Sequence, residues 1–191
     1  MGRFFLGIVA CLVLVPVLVL AWFRWGNPPV AVADHPFPFE KQIVHIPLMA
    51  RIHRQMVHTP PIQATEANFM AGAHIYVEKC AFCHGFYGKP STIGRNMYPT
   101  VPQLWQLHDN GTAVGVSNDP TGVTYWKVYN GIRLTGMPAF DHILTTQQMW
   151  QVSILLHNAH SQLPPEVMAL VSGQQPPTAP TAAKKKNMKK M

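Results

Sequence analysis

Residues 80–84 read Cys-Ala-Phe-Cys-His. Two thiols three positions apart, followed at once by an imidazole, form a demanding combination. On a helical turn, positions i, i+3 and i+4 share one face. Each thiol can add across one vinyl group of a haem to form a thioether, while the imidazole swings beneath the iron. The competing readings fit less well. A structural zinc site needs four ligands, and the third cysteine, Cys11, lies inside an apolar run. A thioredoxin-like dithiol needs a βαβ setting, which the sequence does not offer. The stretch therefore implies one covalently attached haem c, bound by Cys80 and Cys83, with His84 on the iron through Nε2. The Nδ1–H of His84 should donate to a backbone carbonyl that fixes the ring. Pro90 and Pro99 are the candidates by sequence.

A second informative stretch is residues 130–140, Asn-Gly-Ile-Arg-Leu-Thr-Gly-Met-Pro-Ala-Phe. Met137 stands in a Gly/Pro loop, where Gly136 permits close backbone approach and Pro138 stiffens the chain. Enough chain separates it from His84 to wrap one haem. A thioether ligand at the sixth position favours ferrous iron and raises the potential. Met97, in another glycine-bearing loop, and His108 and His142 are rival ligands, His142 the foremost. A filled sixth position leaves the iron only a change of charge. An open one would point instead to a gas sensor or a peroxidase-like enzyme.

The flanking pattern is helical. Thr65 can cap a helix bearing Phe69, Met70, Ala73, Tyr76, Val77 and Cys80 at spacings of three and four. A short helix is expected after Pro102, through Leu104, Trp105 and Leu107. Another runs from Thr124 to Asn130 and stops at Gly131. Thr145 with Gln148 makes a capping box that opens a helix reaching about His160. No strand and no internal repeat is evident, so residues 64–171 read as an all-α domain with long connections.

The motif, the loop and the order of helices together resemble class I c-type cytochromes, over roughly residues 65–160. A helix with Gly72 and Tyr76 leads into Cys-Ala-Phe-Cys-His-Gly, a Gly-Ile-x-x-Thr-Gly-Met-Pro-Ala loop follows, and a last helix bears Met149-Trp150. The loop is similar to those of membrane-anchored monohaem cytochromes and of cytochrome subunits of respiratory complexes and dehydrogenases. The resemblance implies the class I cytochrome c fold around one haem, with Met137 as distal ligand and one haem edge at the surface. It also implies a crossing of the first and last helices at Gly72 and Trp150. Arg95, Tyr98, Trp126 and Arg133 are the candidates for contacts to the haem propionates. The implied role is single-electron transfer rather than catalysis. The partners would be redox proteins or a respiratory or photosynthetic complex in the membrane.

Outside this domain, residues 4–23 carry no charge and are long enough, at about 1.5 Å per residue, to cross about 30 Å of hydrocarbon. Residues 1–24 are read as a transmembrane anchor. A cleaved signal peptide is the alternative, but Ala31-Val32-Ala33 lies far beyond the apolar run. Haem of this type is attached outside the bacterial cytoplasmic membrane, which would place the domain on the periplasmic side of a single-pass protein. Arg3 agrees with that orientation and Arg24 opposes it. Residues 25–63, rich in proline and holding His35, His45, His53 and His58, read as an extended linker. A short amphipathic helix over 47–57 could present Leu48, Met49, Ile52 and Met56 on one face. Residues 172–191 read as a disordered tail, with Lys184, Lys185, Lys186, Lys189 and Lys190 near its end. That tail accounts for much of the net charge of +7. Residues 64–171 hold five basic and six acidic side chains, which argues against nucleic acid as a partner.

Overall fold

The computed structural model describes residues 2–174. The lysines expected in a disordered tail lie outside the described residues. The chain divides between His45 and Ile46 into two compact units.

In the first unit, helix α1 (Gly2–Trp25) contains Pro16 and buries none of its side chains. Among the described residues it is the one helix long and apolar enough to cross a membrane. The chain then turns back on itself. The Gly26 N–H donates to the Trp22 carbonyl at 2.7 Å, and the ring of Phe37 meets Trp22 edge-on at 5.8 Å. Asp34 accepts from the N–H groups of Val30 and Ala31, each at 2.8 Å. These two bonds hold its carboxyl below the usual range. Helix α2 (Glu40–Gln55) begins in this unit and ends in the next, with Pro47 inside it.

The second unit holds α3 (Glu66–Lys79), α4 (Ala81–His84), α5 (Thr92–Arg95), α6 (Thr121–Asn130), α7 (Thr146–His157) and α8 (Pro165–Val171). Two short strands, β1 (Leu107–His108) and β2 (Ala113–Val114), pair antiparallel with Leu107 opposite Val114. They stand where a helix through Leu104 and Leu107 is expected. The Asp-Asn-Gly sequence at 109–111 explains the difference, because Asn110 takes a left-handed φ of 57° and reverses the chain. Helix α8 is too short to announce itself by periodicity.

Thr65 caps α3, its hydroxyl accepting from the Asn68 N–H at 3.3 Å. α3 then crosses α7 at Gly72. A Cβ there would stand 2.5 Å from the carbonyl oxygen of Gln151 and 3.2 Å from the Cβ of Leu155. The Gln151 amide donates to Asn68 at 3.0 Å beside the crossing. Trp150 is buried one position away, but its ring turns from α3 and stacks on Tyr125 of α6, centroids 4.0 Å apart. The crossing expected at Gly72 and Trp150 is thus made by Gly72 with Gln151 and Leu155. Ala73, Tyr76, Val152, Leu155, Val167 and Val171 are fully buried, so α3, α7 and α8 share one core.

The later turns of α2 also join this unit. Ile52 is fully buried, and with Leu48, Met49 and Met56 it packs on Val123 and Trp126 of α6. The segment expected to be an extended linker therefore contains a helix longer than the 47–57 reading. Its four apolar side chains recur at helical spacing and find an apolar partner.

The capping box of α7 is complete. Thr145 Oγ1 accepts from the Gln148 N–H at 3.3 Å, and the Gln148 side chain accepts from the Thr145 N–H at 2.8 Å. Thr145→Ala should cost about 1 kcal/mol, seen as a lower denaturant midpoint with an unchanged slope.

Candidate haem site

Cys80 ends α3 and opens α4, so the motif sits on a helical junction. The N–H groups of Cys83 and His84 both donate to the Cys80 carbonyl, at 3.2 and 3.0 Å. This turn brings Cys80, Cys83 and His84 to one side. Gly85 stops it with a φ of 76°. The Tyr76 hydroxyl donates to the Gly85 carbonyl at 2.6 Å and locks the exit of the motif to α3. Gly94 permits α5 to lie directly against the Cys83 carbonyl, where a Cβ would collide.

His84 is held at two points. Its Nδ1 donates to the carbonyl of Pro102 at 2.8 Å, and its own carbonyl accepts from the Leu104 N–H at 3.2 Å. Sequence reading offers Pro90 or Pro99 for the first role, and the structure gives it to Pro102. The reason lies in Gln103. Its side-chain amide donates to the carbonyls of Cys83 at 3.3 Å and Val101 at 3.1 Å, while its oxygen accepts from the Ser91 N–H at 2.6 Å. Residues 101–104 are thereby laid along the motif. Gln103 and Ser91 are positioning residues that no sequence pattern singled out.

The electrostatics suit a neutral ligand set. Desolvation lowers the pKa of His84 despite the opposing bond to Pro102. With Nδ1 engaged, the lone pair of Nε2 is left for a metal. Burial, with a smaller contribution from Cys83, pushes the Cys80 thiol up to about 12. Cys80 and Cys83 are not joined to each other in a disulfide. Two cysteine side chains and one oriented imidazole on a single turn are the donor set that covalent haem requires. The residues fit the group.

The loop 131–140 is internally wired. Ile132 N–H donates to the Met137 carbonyl at 3.2 Å. Met137 N–H donates to Thr135 Oγ1 at 3.1 Å, and that hydroxyl donates to the Ile132 carbonyl at 2.7 Å. Gly131, with φ of 64°, lies so close to residues 137–139 that a Cβ would stand 2.6 Å from the Ala139 nitrogen. Met137 is half-buried against the main core. Met97 packs its methyl on Gly136, next to Met137.

The rivals are disposed differently. The His142 side chain is 92% exposed, with Nε2 3.3 Å from Asp141. His108 donates from Nε2 to the Gly115 carbonyl. Trp126 is withdrawn from the propionate candidates, because its indole N–H donates to Gln55 of α2 at 3.1 Å. Arg95, Tyr98 and Arg133 are exposed. Among the described residues, no group of three or more His, Cys, Asp or Glu side chains could hold a separate metal ion.

Residues 67–154 match the family model described as cytochrome c oxidase, cbb3-type, subunit III. No curated protein and no solved structure matches the chain. The matched span runs from α3 through the motif and the 131–140 loop into α7. Taken with the donor set at the start of α4, that match identifies residues 67–154 as a c-type cytochrome domain whose cofactor is covalently bound haem c.

Proposed function

We propose that this cytochrome passes single electrons on the outer face of a bacterial cytoplasmic membrane, anchored there by α1. Cys80 and Cys83 would form the thioethers, and His84 and Met137 the axial ligands. Bound haem supplies an iron that alternates between ferric and ferrous. The observation that carries this reading is the 131–140 loop, which holds Met137 half-buried while His142 points to solvent. With His84 and Met137 both held to the iron, no position would be left for a substrate. Thioether ligation and apolar surroundings favour the reduced state. An exposed haem edge would meet its partner over a small, transient interface.

The match to a cbb3-type oxidase subunit family favours a second arrangement, in which the chain is a fixed haem subunit of a membrane respiratory complex. Purification after mild detergent extraction separates the two. A free carrier elutes alone, whereas a fixed subunit elutes with the complex.

The ligand assignment is tested by optical spectra of the purified protein. The expected result is the weak red-edge charge-transfer band of thioether-ligated ferric haem, with no change on adding carbon monoxide to the ferrous form. Ready carbon monoxide binding would mean an open sixth position and would favour a sensor or peroxidase-like enzyme.

A further inference from the structure

We infer that Met97 is a positioning residue for the sixth ligand, holding the 131–140 loop closed so that Met137 stays on the iron. The inference rests on reading Met137 as an axial ligand. Met97 belongs to another segment, the one laced to the turn that carries His84. Ser91 Oγ donates to the Phe82 carbonyl at 2.6 Å. Gly94 lies against the Cys83 carbonyl, and the Val101 N–H donates to the Gly94 carbonyl at 3.0 Å. Pro102, next along, receives His84 Nδ1. The chain between Gly94 and Val101 is thus a loop pinned at its base beside the first ligand.

Three observations give Met97 this role. First, it is half-buried, while every other residue from 95 to 100 is exposed. Second, what it meets is the second ligand's loop. A Cβ at Gly136 would fall on Met97 Cε, so the thioether methyl fills the volume that a side chain at 136 would take, directly beside Met137. A long, unbranched side chain suits a reach between two segments. Third, the hydrogen bonds among Ile132, Thr135 and Met137 are internal to the 131–140 loop. They fix its shape but not its seat. Its end is tied to α6, where the Phe140 N–H donates to the Val128 carbonyl at 3.0 Å. The stretch between is left to packing, and Met97 supplies it from the segment that holds His84. One methyl contact is weak, but opening of a short loop is a local event that few contacts govern.

The test follows displacement of the sixth ligand by imidazole in the full haem-bearing ferric chain, read as loss of the charge-transfer band. At saturating imidazole the rate is limited by release of Met137, so it measures opening of the loop. Met97→Ala should open several-fold faster than the unmutated protein. Met97→Leu keeps the apolar bulk and should stay near the unmutated rate. Gly136→Ala added to Met97→Ala puts a methyl where Met97 Cε stood and should slow opening again. Met168→Ala truncates a half-buried methionine of α8. It controls for a general loss of stability and should leave the rate unchanged. An unchanged rate in Met97→Ala, or an equal rise in Met168→Ala, would overturn the inference and leave Met137 as the ligand. Opening of Met97→Leu as fast as Met97→Ala would mean that packing is not what acts, and would overturn it too. Retention of the band in Met137→Ala would remove the ligand reading and this inference with it.

Discussion

Met137→Ala should abolish the charge-transfer band of the ferric protein and open the ferrous iron to carbon monoxide. The loop should survive the change. Its internal bonds run through the backbone of Ile132 and Met137 and the hydroxyl of Thr135, not through the thioether. The close approach at Gly131 is likewise a backbone contact. The effect should therefore fall on the iron rather than on the fold. Replacing thioether by water removes the ligand that favours ferrous iron, and the potential should drop by on the order of 0.2 V, within the range that axial ligands command. Redox titration and carbon monoxide difference spectra read both effects. A variant that kept its band would transfer the role to another residue, and Met97, packed on Gly136, would be the next to replace.

Gly72→Val should be among the most destabilising substitutions in the domain. A side chain at this position meets the Gln151 carbonyl oxygen at 2.5 Å and its carbon at 2.8 Å. Both are backbone atoms and cannot swing aside. α3 and α7 would have to separate, which also breaks the Asn68–Gln151 bond and loosens the apolar contacts with Leu155. A loss of about 3 kcal/mol is expected, a large part of a typical domain's 5–15 kcal/mol. Gly72→Ala gives a sharper test through its sign. In an unconstrained helix interior that change stabilises by about 1 kcal/mol, whereas here it should destabilise. Guanidinium unfolding of the haem-bearing protein, followed by tryptophan fluorescence, measures both variants.

Much of this architecture is legible in the sequence because it is set by neighbours along the chain. Thr65, Thr145 and Gln148 cap their helices through residues three positions away. Cys80, Cys83 and His84 share a turn by spacing alone. Gly131 ends α6 as a glycine should. What escaped the sequence depends on distant partners. The carbonyl that receives His84 Nδ1 is chosen by Gln103, whose amide bridges segments far apart in the chain, and no local pattern encodes such a bridge. The departure of Trp126 from the propionate candidates needs Gln55, 71 positions away. Trp150 and Gln151 are adjacent, and which of them meets Gly72 depends on how α7 is rotated about its axis. The hairpin at 107–114 shows the reverse failure. There the Asp-Asn-Gly turn was local and readable, but the apolar run before it suggested a helix.

The crossing of α3 with α7 has a consequence for how the protein is made. The bond between Asn68 and Gln151 spans 83 positions, so the partners that bury the first helix of the domain are synthesised long after it. A chain emerging N-terminus first would present the thiols of Cys80 and Cys83 while α7 and α8 were still missing. Before haem is attached, closure of the core would desolvate the Cys80 thiol and disfavour its reactive thiolate. The proposed covalent attachment of haem is therefore favoured during a window in biogenesis, after α4 has appeared and before the last two helices close the core.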